Sequence, residues 1–212
     1  GRCLYRSTKL RYLIIMDFTA IKQLRLKEAF KSDAKFSVIS TDEDYLNTLF
    51  ETKNNSHLFV YDSESLGYST FITNTYGIGS DKVFNVANNT RKDVFLWHID
   101  GVLYARDSKC DCALISDTDL KFVEFKSEAA QNSLQAIEDN YNKAYKQLSI
   151  TFKDIDSKCK SAGVDIRKIV NIKAYAVFNR TVPSDNATQK NLKTKFLKEH
   201  GVKLLFKNET SM

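Results

Sequence analysis

The chain has 212 residues, of which 42% are hydrophobic, 12% aromatic and 27% charged, and its 32 Lys and Arg against 26 Asp and Glu give a net charge of +6. This composition excludes a mainly disordered chain, and the single Pro and seven Gly exclude Pro/Gly-rich linkers and collagen-like repeats. The length is enough for one large domain or two small ones.

The cysteines and the apolar runs limit the class of protein further. Four cysteines are too few for a disulfide scaffold, and Cys110 and Cys112 form a lone C-x-C without a second pair at zinc spacing. The longest apolar run near the N-terminus, from Tyr12 to Met16, is far shorter than the roughly 18 residues of a membrane span. We therefore expect a cytoplasmic, intracellular protein with reduced cysteines and no membrane segment.

The N-terminal part of the chain carries the weaker patterns. Leu10 to Phe30 has apolar residues at helical spacing, and Thr41 to Asp44 is typical of a helix N-terminus with an acidic first turn. His57 to Tyr61 is a short predicted strand, and Ser63 to Ser80 indicates loops with short strands. We expect residues 1–85 to form an N-terminal α/β extension that packs on a core domain.

The core domain, residues 86–212, alternates strands and helices. The order predicts an α/β fold with a mixed central β-sheet flanked by helices. The predicted elements are strands at Ile99–Ala105, Cys110–Ile115 and Leu120–Lys126, a helix from Glu128 to about Lys160, a strand at Ile169–Phe178, a basic helix at Ala187–His200 and a strand at Val202–Phe206.

The second and third of these strands form a predicted hairpin that brings ionisable side chains together. When the polar turn from Ser116 to Asp119 closes the hairpin, Asp111 lies directly opposite Glu124, with Cβ atoms about 4.5–5.5 Å apart. Lys126 lies two residues beyond Glu124 and therefore on the same face.

Two directly opposed carboxylates repel each other unless a positive charge lies between them. A hard divalent cation, Mg²⁺ or Mn²⁺, is the natural occupant, with Asp111 and Glu124 as its ligands. A lysine beside it can stabilise charge that develops on a phosphoryl group or help to activate water. The pattern thus predicts phosphodiester hydrolysis, and the alternative is a solvated hairpin face in which Lys126 neutralises a carboxylate.

Asp111 followed by Glu124-Phe125-Lys126 resembles the motif of the PD-(D/E)XK nuclease superfamily, an Asp on one strand and Glu-x-Lys on the next. The resemblance covers residues 95–178 and implies a restriction endonuclease-like core of β-meander, helix, strand, helix and strand. It also implies that Gln147, on the following helix, supports the site or contacts phosphate. Thr151 stands where some branches of the superfamily have Tyr.

A third acidic ligand has two candidates, Asp100 and Glu28. The predicted strand pairing puts Asp100 opposite Ser116, about 17 Å along the strand from the level of Asp111, which favours a turn role unless a bulge at Gly101 redirects it. Glu28 belongs to the predicted N-terminal helix.

Basic residues concentrate in the second half of the chain, which favours a nucleic-acid partner and has a solvated helix face as its alternative. They are Lys143, Lys146, Lys153, Lys158, Lys160, Lys190, Lys193, Lys195, Lys198, Lys203 and Lys207. The resemblance implies DNA more than RNA as the partner.

The resemblance therefore implies a metal-dependent DNA nuclease in defence, restriction or repair, and symmetric cutting of two strands predicts a homodimer. One alternative is a non-catalytic nucleic-acid-binding or protein-interaction module on the same fold, although such a module has no need of opposed carboxylates. A small-molecule phosphohydrolase is a third hypothesis, which does not require the basic surface.

Overall fold

The computed structural model describes residues 23–31, 49–104, 108–126, 133–179 and 186–212. The predicted helix start at residues 41–44 and most of the predicted helix at 10–30 lie outside these ranges. The strands of the described residues are β1 (Phe50–Lys53), β2 (His57–Ser63), β3 (Tyr68–Ile72), β4 (Val83–Ala87), β5 (Val94–His98), β6 (Cys112–Ile115), β7 (Asp119–Lys126), β8 (Asn171–Phe178), β9 (Lys203–Phe206) and β10 (Glu209–Ser211). The helices are α1 (Leu26–Phe30), α2 (Leu134–Ser161) and α3 (Ala187–His200), with a 3-10 turn at Ile166–Lys168.

The strands form two mixed sheets, so the fold is α/β. The larger sheet has the order β1-β5-β6-β7-β8-β9, antiparallel from β1 to β7 and parallel from β7 to β9. Helix α2 connects β7 to β8 and α3 connects β8 to β9, because parallel neighbours need a crossover. The smaller sheet has the order β10-β4-β2-β3.

The larger sheet is the middle layer of three. Side chains of alternate residues in β7 enter different cores: Phe122 packs in the cluster that includes α2, and Val123 packs in the cluster that includes β2 and β4. We expected helices to flank the sheet, but in the described chain the helices cover one face and the smaller sheet covers the other. The buried run of β7 fits this arrangement because a strand covered on both faces has little solvated surface.

The strand that precedes the hairpin differs from its predicted position. It is β5, Val94–His98, and not Ile99–Ala105, and it pairs with β6 so that His98 lies opposite Cys112. The chain turns immediately afterwards, where Gly101 has φ 75° and its N–H donates to the Tyr104 carbonyl at 3.1 Å. These turn residues were predicted to be part of a strand because most of them are apolar or aromatic.

The C-terminal elements match their predicted positions closely. Helix α3 begins after Asn186, whose side chain accepts a hydrogen bond from the Gln189 N–H at 2.8 Å. It ends at Gly201, which has the left-handed φ of 65° that favours glycine. Helix α2 begins after Ser133, whose hydroxyl caps the Ala136 N–H, and the predicted start at Glu128 lies outside the described residues.

Both sheets draw strands from both sides of the expected domain boundary between residues 85 and 86. That position lies within β4. Strand β1 joins the larger sheet by pairing with β5, and the C-terminal β10 pairs with β4 in the smaller one. Among the described residues, no helix has the length and apolar character needed to cross a membrane.

Candidate active site

The β6–β7 hairpin has the register that the sequence predicted. Ile115 lies opposite Leu120, and continuing the same pairing places Asp111, the residue before β6, level with Glu124. The Phe125 N–H donates a hydrogen bond of 2.6 Å to Asp111 Oδ2. Asp111 and Glu124 therefore lie side by side at the end of the two strands.

Glu124 is the most buried carboxylate of the site, with 1% of its surface exposed. Its Oε1 accepts a hydrogen bond from Lys126 Nζ, whereas its Oε2 is buried and has no hydrogen-bond partner among the described residues. Burial and the neighbouring Asp111 raise the pKa of Glu124 well above its usual value, against the opposing effect of Lys126. A buried oxygen without a partner is costly, so this position calls for a proton or a cation.

The lysine ammonium is held between two side chains. Besides Glu124, Lys126 Nζ donates to Gln147 Oε1 at 2.6 Å, and Gln147 Nε2 donates to the Lys109 carbonyl at 2.9 Å. Gln147 comes from α2, which packs on β7. The four residues singled out in the sequence, Asp111, Glu124, Lys126 and Gln147, are thus brought together.

A fifth residue of the neighbourhood escaped the sequence analysis. Thr151, one turn after Gln147, is fully buried, and its hydroxyl accepts a hydrogen bond of 2.8 Å from the Cys110 N–H while donating to the Gln147 carbonyl at 2.7 Å. The sequence marked this position only as lacking a Tyr. The structure gives it a role, because it fixes the backbone that leads into Asp111.

The smaller sheet adds a further acidic residue, Asp62, near the end of β2. Burial, together with the negative charge of Asp62, raises the pKa of Asp111 to about 7, and the Phe125 N–H opposes the shift. Burial also raises the pKa of Asp62 itself, against the opposing charge of Lys82. The sequence analysis missed Asp62 because no local pattern indicated which face of the core β2 would cover.

Asp100 lies at the level of Asp111, and its predicted position opposite Ser116 was wrong. The Asp100 N–H donates to the Asp111 carbonyl at 3.1 Å. The error followed from the misplaced strand, because β5 ends at His98 and pairs with β6 in a different register from the predicted one, so Asp100 lies beyond the end of β5. Burial raises the pKa of Asp100, and its charge is among those that raise the pKa of Asp111.

Glu28, the other candidate ligand, is not brought to the site. It is an exposed residue of α1, and α1 packs near the C-terminal end of α2, where Lys158 Nζ lies 4.9 Å from the Phe30 ring. Gln147 and Lys158 are separated by about 16 Å along the axis of α2, at 1.5 Å per residue.

The remaining candidates are packed groups. His98 is buried, with Nδ1 2.9 Å from the Ser69 carbonyl oxygen, and desolvation lowers its pKa. Cys110 and Cys112 are buried free thiols. They belong to different cores: Cys110 packs on the helix side and Cys112 on the side of the smaller sheet.

The donor set fits a small hard cation. Asp111 and Glu124 offer carboxylate oxygens, and the unpartnered Oε2 of Glu124 is a free donor. The described residues contain no group of three or more His, Cys, Asp or Glu side chains arranged to hold a metal ion. Two carboxylates with water and substrate oxygens completing the shell is the usual arrangement for Mg²⁺.

Comparison with known proteins gives no family assignment. No protein-family model, curated protein or solved structure matches the chain.

Proposed function

We propose that this protein is a metal-dependent nuclease that hydrolyses phosphodiester bonds in DNA, built on a restriction endonuclease-like core. One observation carries the proposal: Asp111, Glu124, Lys126 and Gln147 converge, and a buried oxygen of Glu124 has no partner among the described residues. A hairpin whose charges served only for solubility would expose them, whereas Glu124 is 1% exposed.

Each residue has a distinct role in the proposed reaction. Asp111 and Glu124 would hold Mg²⁺ or Mn²⁺, which polarises a phosphate oxygen and lowers the pKa of bound water. Lys126 presents its ammonium to the negative charge that develops on the phosphoryl group. Gln147 restrains Lys126 through its Oε1 and is itself anchored on the Lys109 carbonyl, so the ammonium is positioned before substrate arrives.

Exposed lysines support a nucleic-acid substrate. Helix α3 has four lysines and a single acidic residue among its 14 residues. Phosphate backbones bind such surfaces by counterion release, without sequence specificity. The exposed lysines of the second half of the chain are Lys143, Lys146, Lys153, Lys160, Lys168, Lys190, Lys195, Lys198, Lys203 and Lys207. Cutting both strands of a duplex symmetrically would require two copies of the site and therefore a homodimer.

Cleavage of mixed plasmid and single-stranded DNA in Mg²⁺, Mn²⁺ or EDTA tests the proposal. We expect metal-dependent cutting by the wild type and a loss of at least about 100-fold in Glu124→Gln and Lys126→Ala, since a general acid–base or electrostatic group typically contributes that much. Glu124→Gln preserves the shape of the buried side chain and so limits effects on folding.

Two exposed residues supply matched controls. Lys53→Ala removes an exposed lysine at the end of β1, outside the basic second half of the chain, and Glu64→Gln removes an exposed carboxylate on the β2–β3 turn. Both should retain wild-type cleavage. DNA retention with a steep salt dependence but without cleavage in any metal would instead favour the non-catalytic binding module.

A further inference from the structure

The turn between β2 and β3 lies against the loop that carries Asp100. The ring of Tyr68, at the start of β3, is centred 4.9 Å from the His98 ring at the end of β5. The carbonyl of Ser69, which pairs with Asp62 across the β2–β3 ladder, lies 2.9 Å from His98 Nδ1. These contacts place the end of β2 beside the end of β5, directly before Asp100.

A glycine contact brings the same two segments still closer. A Cβ atom on Gly101 would lie 2.2 Å from the Gly67 carbonyl oxygen, so only glycine permits this approach. The Gly67 N–H donates to the Ser63 carbonyl at 2.9 Å and closes the turn that follows Asp62. The turn after Asp62 is therefore packed directly on the residue after Asp100.

This packing adds Asp62 to the carboxylates around Lys126. The charge of Asp62 acts on both Asp111 and Glu124, and the charge of Lys126 acts on Asp62. Lys82, the residue before β4, also acts on Asp62 through its charge, and it forms an ion pair of 2.5 Å with Glu64 at the surface. The buried Glu124 Oε2, which has no hydrogen-bond partner among the described residues, is an independent sign that this position takes a cation.

We propose that Asp62 is a third acidic residue of the cation site, where it accepts hydrogen bonds from water molecules of the hydrated cation held by Asp111 and Glu124. This inference rests on the proposed function. A contact through water fits the described side chains, which form no group of three direct ligands. It also fits Mg²⁺ and Mn²⁺, which keep several waters when carboxylates bind them.

Mn²⁺ binding to the full chain, followed by electron paramagnetic resonance without nucleic acid, tests the inference. We expect Asp62→Asn to weaken Mn²⁺ affinity about 10-fold or more, as loss of a residue that supports metal ligands does. Asp62→Glu keeps the carboxylate, so its Mn²⁺ affinity should stay within about 3-fold of the wild-type value. Glu209→Gln removes an exposed carboxylate of β10; it is the matched control and should bind like the wild type.

The outcomes separate the inference from the proposed function. If Asp111→Asn abolishes Mn²⁺ binding while Asp62→Asn binds normally, Asp62 has no role at the cation and only the inference fails. If the wild type does not bind Mn²⁺ at all, the proposed function fails and the inference with it. Equal losses in Asp62→Asn and Asp62→Glu, with a lowered Tm in both, would assign Asp62 a purely structural role and also overturn the inference.

Discussion

The hydroxyl of Thr151 accepts a hydrogen bond of 2.8 Å from the Cys110 N–H and so ties α2 to the residue before Asp111. Gln147, one helical turn earlier, donates a hydrogen bond to the carbonyl of Lys109, the residue before Cys110. Two successive turns of one helix therefore hold the backbone that presents the first carboxylate of the site.

Replacing Thr151 by Val should lower the free energy of unfolding by about 1–3 kcal/mol, because it leaves the buried Cys110 N–H without an acceptor. Thr151→Ser keeps the hydroxyl and should recover most of this loss. Urea denaturation measures both. Thr194→Val is the control, since the exposed Thr194 hydroxyl also donates to the carbonyl four residues earlier but, within the described part of the chain, accepts no hydrogen bond from another element. An equal loss in the two Val variants would contradict a specific role for Thr151.

The stability of the metal-free protein should fall as the pH rises toward 7. The pKa of Asp111 is raised from 3.8 to about 7, so between these values the folded chain binds a proton that the unfolded chain has released. The free energy of unfolding therefore decreases across this window, by at most about 4 kcal/mol at 1.4 kcal/mol per pKa unit. Asp111→Asn should match the wild type near pH 4 and exceed it near pH 8.

Urea titrations in EDTA at several pH values measure this difference. The informative quantity is the gap between the wild type and Asp111→Asn, which reports Asp111 together with its effect on the pKa of Glu124, because more distant titrating groups affect both proteins alike. A gap that does not change with pH would show that the Asp111 carboxyl is not the titrating group.

Divalent cations should raise the Tm of the wild type. A ligand present at 100 times its Kd stabilises the folded state by about 2.7 kcal/mol, which corresponds to roughly 5–10 °C for a chain of this size. Asp111→Asn and Glu124→Gln should lose most of the shift, because each removes one of the two opposed carboxylates. Thermal scans with and without Mn²⁺ test this, with Glu64→Gln as the control. Equal shifts in all four proteins would point to binding elsewhere.

Gly101→Ala should destabilise the protein more than Gly201→Ala. Both glycines have positive φ, 75° and 65°, so both substitutions carry the strain of a left-handed residue, about 1–2 kcal/mol. Only at Gly101 would the new Cβ collide with another backbone, at 2.2 Å from the Gly67 oxygen, whereas nothing lies within 4 Å of the corresponding position at Gly201. Chemical denaturation should show an additional loss of about 1 kcal/mol or more at Gly101. Equal losses of unfolding free energy in the two variants would mean that the β2–β3 turn moves away from residue 101 without cost.

Local sequence patterns were sufficient for the elements that carry most of the candidate site. The polar turn from Ser116 to Asp119 set the hairpin register, because a short turn between two apolar strands leaves few alternative pairings. That register alone placed Asp111 beside Glu124. Helix α3 was predictable because its ends carry their own signals, an Asn cap and a terminal glycine.

The missed parts depend on contacts between segments that are distant in the chain. Asp62 approaches Asp111 only because the smaller sheet covers the second face of the larger one, and no periodicity in β2 specifies which surface it will cover. Asp100 was misplaced because apolar and aromatic residues continue past His98, while the strand itself ends at His98 and Gly101 turns the chain.

The sequence by itself therefore determined the hairpin, its paired carboxylates and the lysine beside them. All of these lie within residues 111–126, in two strands that a single short turn connects. The tertiary structure decided what surrounds them: Gln147 and Thr151 from α2 on one side, and Asp62 from the smaller sheet on the other. The physical reason is that burial and packing between layers are non-local, so the environment that raises the pKa of Asp111 exists only after all three layers have assembled.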